Sequence, residues 1–104
     1  MEFKFNYNVN QDGTVKAYLK GELDTASSES IQANVDKMLE ECSSKQITID
    51  CSQLNYIASS GLRLLITIHK KTVANGGHMI LVGVNKIVMS ILNITTFDNI
   101  FDIQ

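Results

Sequence analysis

Proline is absent from this chain of 104 residues, and with it any proline-rich linker. Cysteine occurs twice, at Cys42 and Cys51, in a spacing that matches no zinc pattern. Cys42 falls on an apolar helix stripe and Cys51 on the apolar face of a strand, so both are expected as reduced core thiols. Histidine also occurs twice, at His69 and His78. Neither has a second histidine or a carboxylate at ligand spacing, so no metal site is expected. No apolar run approaches the ~18 residues of a membrane span, and no charged-then-apolar leader opens the chain. The expectation is a cytoplasmic protein with no membrane contact. The formal net charge is -2 and basic residues do not cluster, which argues against a nucleic-acid partner. There is no G-x-G-x-x-G, no P-loop and no G-x-S-x-G. His69 lies two to three turns along the helix that Ser59 opens, and His78 lies beyond its far end, so neither can serve that serine as a base. The chain is expected to be no enzyme and to need no cofactor.

What is present suffices for one domain across residues 1–104. A chain of this length buries roughly 60–65% of its unfolded surface, and 44% of its residues are apolar. Phe3, Phe5, Tyr7 and Val9 alternate with polar residues, as do Val15, Ala17 and Leu19. With Asn10-Gln11-Asp12-Gly13 between them, these runs predict a hairpin whose first strand is a sheet edge. Ile31, Val35, Met38, Leu39 and Cys42 mark one face of a single helix that Asp24 or Thr25 would cap, ending at Ser43-Ser44-Lys45. Ile47, Ile49 and Cys51 predict a strand, with Leu54 and Ile57 anchoring a loop after it. Leu62, Leu65, Ile66, His69 and Val73 share a face of a second helix, from about Ser59 to Asn75, stopped by Gly76-Gly77. Met79 to Val82 reads as a central strand. Strand, helix, strand is a right-handed crossover between parallel strands. Asn85 would cap a short third helix with Ile87, Val88, Ile91 and Leu92 on its buried side, and Ile100, Phe101 and Ile103 close the chain in a short strand or tail. The order is β-β-α-β-α-β-α-β: an α/β domain with a mixed sheet of four to five strands and helices covering one face.

Two features carry chemistry. Ser59 and Ser60 precede a strongly apolar helical run. One reading is a helix cap, whose oxygen accepts from the first turn. The other is a phosphorylatable serine, whose phosphate the helix dipole would favour. Asp24 leaves the second strand and Ser59 follows the third, so parallel pairing of those strands puts both loops at one end of the sheet. Asp24 then either caps its helix or helps to shape an acceptor surface.

Gly21-Glu22-Leu23-Asp24, Ile57-Ala58-Ser59-Ser60-Gly61-Leu62, Gly76-Gly77 and the tail from Ile91 to Phe101 resemble the STAS domain of bacterial anti-sigma-factor antagonists, over essentially the whole chain. The resemblance implies a partner switch. The unphosphorylated protein binds an anti-sigma factor that is also a serine kinase, and the sigma factor is freed. Phosphorylation breaks the complex and a serine phosphatase restores it. The family's acceptor maps to Ser59, with Ser60 as second choice, and the partner surface to Asp24, Thr25, Ala58, Ser59, Ser60, Gly61 and Leu62. Two departures stand out: Ala58 replaces the family's aspartate before the acceptor, and the family's C-terminal helix is expected to be missing or very short. The resemblance also admits an alternative, a STAS scaffold subunit of a transport or sensory complex in which Ser59 is not phosphorylated. A small-ligand-binding domain is a third reading. A monomer or weak dimer is expected.

Overall fold

Side-chain alternation builds the first layer. The computed structural model describes residues 3–41, 46–95 and 99–104. In it, β1 (Lys4–Val9) and β2 (Val15–Leu23) form the expected antiparallel hairpin. Along β2 every second residue is buried without exception, placing Val15, Ala17, Leu19 and Leu23 inside and Lys16, Tyr18, Lys20 and Glu22 outside. Strand β3 (Gln46–Ile57) pairs with β2 in parallel, followed by β4 (His78–Val82) and the two-residue β5 (Asp102–Ile103). The sheet order is β1-β2-β3-β4-β5, with β1 at the edge.

Strand β3 runs further than its period-2 pattern predicts. Leu54 and Ile57 belong to the strand, not to a loop. Two register shifts conceal this. Tyr18 pairs with Asp50 but Lys20 with Gln53, and Gly21 pairs with Leu54 but Glu22 with Tyr56. Each shift inserts one extra residue in β3, a β-bulge. The inward residues are therefore Ile47, Ile49, Cys51, Leu54 and Ile57, spaced by two and then by three. Gly21 sits between the two shifts with φ of 109°, a conformation that side chains with a Cβ rarely adopt.

The first predicted helix is two: α1 (Thr25–Ser30) and α2 (Gln32–Glu41). Ile31 breaks them, with ψ of 0°. The cause lies in the serines. The Ser27 hydroxyl donates to the Glu22 carbonyl and the Ser30 hydroxyl to the Ser27 carbonyl, both at 2.8 Å, local bonds that compete with helix continuation. The apolar stripe of Ile31, Val35 and Met38 passes across the break, and all three are buried. Cys42, and the predicted end of the helix at Ser43-Ser44-Lys45, lie outside the described residues.

Helix α3 (Ser59–Ala74) crosses from β3 to β4 and buries Leu62, Leu65, Ile68 and Thr72. Val73, expected inside, is 49% exposed. Thr72 takes the inner place because its hydroxyl is satisfied by the Ile68 carbonyl at 2.7 Å. The Gly77 N–H donates to the Thr72 carbonyl and the Gly76 N–H to that of Val73, each at 2.9 Å, which ends the helix in a Schellman motif. Helix α4 (Lys86–Ile94) is capped by Asn85, whose Oδ1 accepts from the Val88 N–H at 2.9 Å. Val88 and Leu92 are buried, but Ile87 is 61% exposed, about 100° around the helix from Val88. Buried residues from Val15 to Phe101 form one cluster on one face of the sheet. The helices cover that face. Lys4, Asn6, Tyr18, Lys20 and Asp50 line a shallow hollow on the other.

Candidate functional site at the carboxyl end of β2 and β3

Leu23 and Ile57 are the last paired residues of β2 and β3. The chains that leave them emerge side by side, and the Ala58 N–H donates back to the Leu23 carbonyl at 2.9 Å. Each chain starts a helix at once, so α1 and α3 begin as neighbours.

Asp24 is the N-cap of α1. Its Oδ1 accepts from the Ser27 N–H at 2.9 Å, and the Asp24 N–H donates to the Ser27 hydroxyl at 2.8 Å, a reciprocal capping box. The Ser27 backbone N–H, then the Ser27 hydroxyl, hold the Asp24 carboxyl below the ordinary aspartate value. The carboxylate is thus engaged within its own helix turn.

Neither serine caps α3. The cap position is Ala58, in an extended conformation with no side-chain hydrogen bond, because the Ala58 carbonyl already accepts from the Leu62 N–H at 3.0 Å. The helix therefore starts one residue before the place a serine cap would require. Ser59 and Ser60 are its first two residues. Ser59 is exposed, whereas Ser60 is half-buried with its Oγ 3.1 Å from Thr25 Oγ1, a hydroxyl bridge between the two helix starts. A helix start without a side-chain cap still presents its first N–H groups.

Gly61 explains how the two starts come so close. A Cβ there would stand 2.7 Å from the Leu23 carbonyl oxygen and 2.8 Å from both Ile57 Cγ1 and Leu23 Cγ. Only a residue without a side chain lets α3 seat against the ends of both strands. Leu62, next in line, is buried in the core at 2% exposure. The structure thus brings Thr25 to Ser60 and Ala58 to Leu23, while the Asp24 carboxylate turns to its own helix.

One feature escaped the sequence pattern. An open groove of about 470 Å³ runs between α1 and α3, with Thr25, Ser28, Glu29, Ser60 and Arg63 among its lining. The Ser28 hydroxyl is buried there without a hydrogen-bond partner. Arg63 is the one signal that was legible, a cation four residues after Ser59 on a helix.

The other titratable groups lie elsewhere. Burial pushes the Cys51 thiol up to about 12, which makes it an inert core group. His69 is half-buried, packs edge-on against Phe101 at 6.0 Å, and leaves Nδ1 buried without the hydrogen bond expected of it. His78 Nε2 meets Asp102 Oδ2 at 2.7 Å, at the start of β4 and so at the opposite end of the sheet. Among the described residues no three His, Cys, Asp or Glu side chains are grouped to hold a metal ion, and no helix is long and apolar enough to cross a membrane.

Comparison with known proteins adds relatives to this geometry. A sequence-family model described as the STAS domain matches residues 7–104. The chain is similar to BtrV of Bordetella bronchiseptica, a protein named as an anti-sigma factor antagonist, with 26% identity over 92 residues, 88% of this chain and 78% of that one. The crystal structure of an anti-sigma factor antagonist from Thermotoga maritima superposes with a TM-score of 0.83 at 27% identity, covering 95% of this chain and 84% of that one. The Bacillus cell fate determinant SpoIIAA in its phosphorylated form shares the fold, with a TM-score of 0.73 at 20% identity over 97% of this chain and 91% of that one.

Proposed function

The chain belongs to the STAS domain family, and from that premise we propose that it acts as an anti-sigma-factor antagonist switched by phosphorylation of Ser59. In this reading the unphosphorylated protein binds an anti-sigma factor with serine-kinase activity in the cytoplasm and frees the sigma factor. Kinase action on Ser59 ends the complex and a serine phosphatase renews it. The protein itself supplies a surface and an acceptor hydroxyl, not catalysis.

The observation that carries the reading is the exposed Ser59 hydroxyl at a helix start with no side-chain cap, beside a Ser60 hydroxyl engaged with Thr25. A kinase must reach its acceptor, and of the two serines Ser59 is the more exposed. A phosphoserine carries about −1.5 to −2 charges. At the first position of a helix that charge favours the fold by roughly 0.3–1 kcal/mol. On a surface that docks a partner against a neutral hydroxyl, the same charge is costly to desolvate. The phosphate then blocks docking without refolding the domain. The names carried by BtrV and the Thermotoga protein support the partner class, and SpoIIAA shows a protein of this fold in a phosphorylated form.

Ala58 favours a second reading. A family aspartate beside the acceptor is missing, which fits a STAS scaffold subunit that is never phosphorylated. Phosphopeptide mass spectrometry on protein isolated from its own cells, with and without stress and with a Ser59→Ala control, separates the two. Condition-dependent phosphate on Ser59 is the expected result. Phosphate on Ser60 keeps the switch and moves the site. No phosphate under any condition selects the scaffold.

A further inference from the structure

The groove between α1 and α3 has a charged lining of one cation, Arg63, and one anion, Glu29. Arg63 stands four residues after Ser59 on the 16-residue helix α3, a spacing that makes two side chains neighbours on one face. Both residues are exposed. Among the described residues the one ion pair is that of His78 with Asp102, so the Arg63 guanidinium is not committed to Glu29. The same groove holds a second uncommitted group, for Ser28 is 9% exposed and its buried hydroxyl has no partner. Neither the neighbouring helix start nor the position before Ser59 offers a free carboxylate. Asp24 is held by Ser27, and the position before Ser59 is Ala58, which offers the guanidinium no carboxylate.

We propose that Arg63 is the counter-ion of a phosphate on Ser59, and that in moving onto the phosphate it leaves Glu29 as the lone charge of the α1–α3 groove. The guanidinium presents a fork of N–H donors that matches phosphate oxygens, and pairs at this spacing on a helix are attractive. A groove that is charge-balanced when Ser59 is free becomes acidic when Ser59 is modified. The phosphate therefore acts twice. It adds negative charge at the helix start, and it withdraws positive charge from the groove beside it. A partner segment lying in that groove loses its cationic contact and meets a carboxylate instead. The inference rests on the preceding reading for how the phosphate arrives, and on the helix geometry for what Arg63 then does.

The test needs no partner. Phosphoserine is installed at position 59 of the full chain by genetic encoding, and the second ionisation of the phosphate is followed by phosphorus NMR. The charged groups in play are Arg63 and Glu29 in the groove and Asp24 at the neighbouring helix start. Removing a cation disfavours the dianion, so Arg63→Gln should raise the midpoint by about 0.3 pH units or more relative to the parent. Arg63→Lys, which keeps charge but loses the fork, should fall between them. Glu29→Gln removes a competitor for the guanidinium and a like charge, so it should lower the midpoint. The helix dipole is common to all four proteins and cancels. Coincident titration of parent and Arg63→Gln overturns the proposal, and an unmoved midpoint in Glu29→Gln overturns its groove half. If Arg63→Gln fails to fold, the Lys variant carries the comparison. Because the phosphate is installed, its absence from Ser59 in cells would defeat the switch reading and leave this result standing, while coincident titrations would do the reverse.

Discussion

Helices α1 and α3 leave the same end of the sheet one strand apart, yet they start in opposite ways. At α1 the Asp24 carboxylate and the Ser27 hydroxyl satisfy each other's backbone N–H groups. At α3 the cap residue is an alanine, and of the first two hydroxyls that of Ser60 meets Thr25. Helix α4 is also sealed, by Asn85. A side-chain cap is the ordinary way to close a helix start and contributes about 1 kcal/mol. Of α1, α3 and α4, the helix that omits it is the one that opens with an exposed serine. The difference separates a start closed by its own side chains from one whose first N–H groups have no side-chain cap. It also accounts for Asp24, whose carboxylate stays charged and is engaged in capping the neighbouring helix.

The comparison can be broken most severely at Gly61. Gly61→Ala places a Cβ within 2.8 Å of Leu23 and Ile57 atoms, two of them side-chain atoms at strand ends that are fully packed. We expect a loss of about 2–3 kcal/mol in urea unfolding, as overpacking of this kind costs, with α3 displaced from α1. A melt unchanged from the parent would mean that the two starts need not lie so close.

The open start can instead be sealed. Ala58→Asp supplies the missing cap and should raise stability by about 1 kcal/mol in the same assay. It should also shrink the stability gained on phosphorylation of Ser59, because the carboxylate would hold the N–H groups and repel the phosphate. Equal gains in both proteins would show that the bare start is not what receives the charge.

The sealed start can be opened by acid. Asp24 titrates below the ordinary aspartate value because the Ser27 groups favour its charged form. A carboxyl depressed in the folded state contributes stability that is complete above its unfolded pKa, near about 3.9, and is lost as pH falls through the lower folded value. Asp24→Ala should therefore lower stability at neutral pH and flatten the acid limb of the stability profile. NMR titration of the parent should show the Asp24 midpoint below the usual range, and a midpoint at the usual value would remove the capping account. This is the smallest of the three effects, since Asp24 lies close to solvent and screening weakens it.

Much of this arrangement was legible before any coordinates. The alternation of Phe3 to Val9 and Val15 to Leu19 gave the hairpin and its edge strand, and the apolar run after Gly76-Gly77 gave the parallel crossover partner. Asp24 and Asn85 were readable as caps because short polar side chains before an apolar helical run have that chemistry. The misreadings have a common origin in residues whose local bonds break a simple period. Two serines, Ser27 and Ser30, divide one predicted helix at Ile31. Two bulges turn a strand spacing of two into three and make Leu54 and Ile57 look like loop anchors. Ser59 was readable at the start of α3, but its reading as a cap fails, because which residue precedes the first helical turn is decided by the Ala58 carbonyl and its bond to Leu62. The groove that holds both Glu29 and Arg63 had no signature beyond the position of Arg63, since its walls are distant in the chain and only parallel pairing of β2 with β3 brings them together.

The bulges in β3 also bear on how this chain can change over evolutionary time. Each extra residue is absorbed where it sits: Leu54 after the first shift and Ile57 after the second still face inward, opposite Gly21 and Leu23. Loss of one extra residue would remove its bulge and leave the sides of the residues after it unchanged. Length in this strand is therefore expected to vary among descendants by single residues at the two bulges, with Ser59 held to the surface by the pairing of Ile57 with Leu23 rather than by any contact of its own.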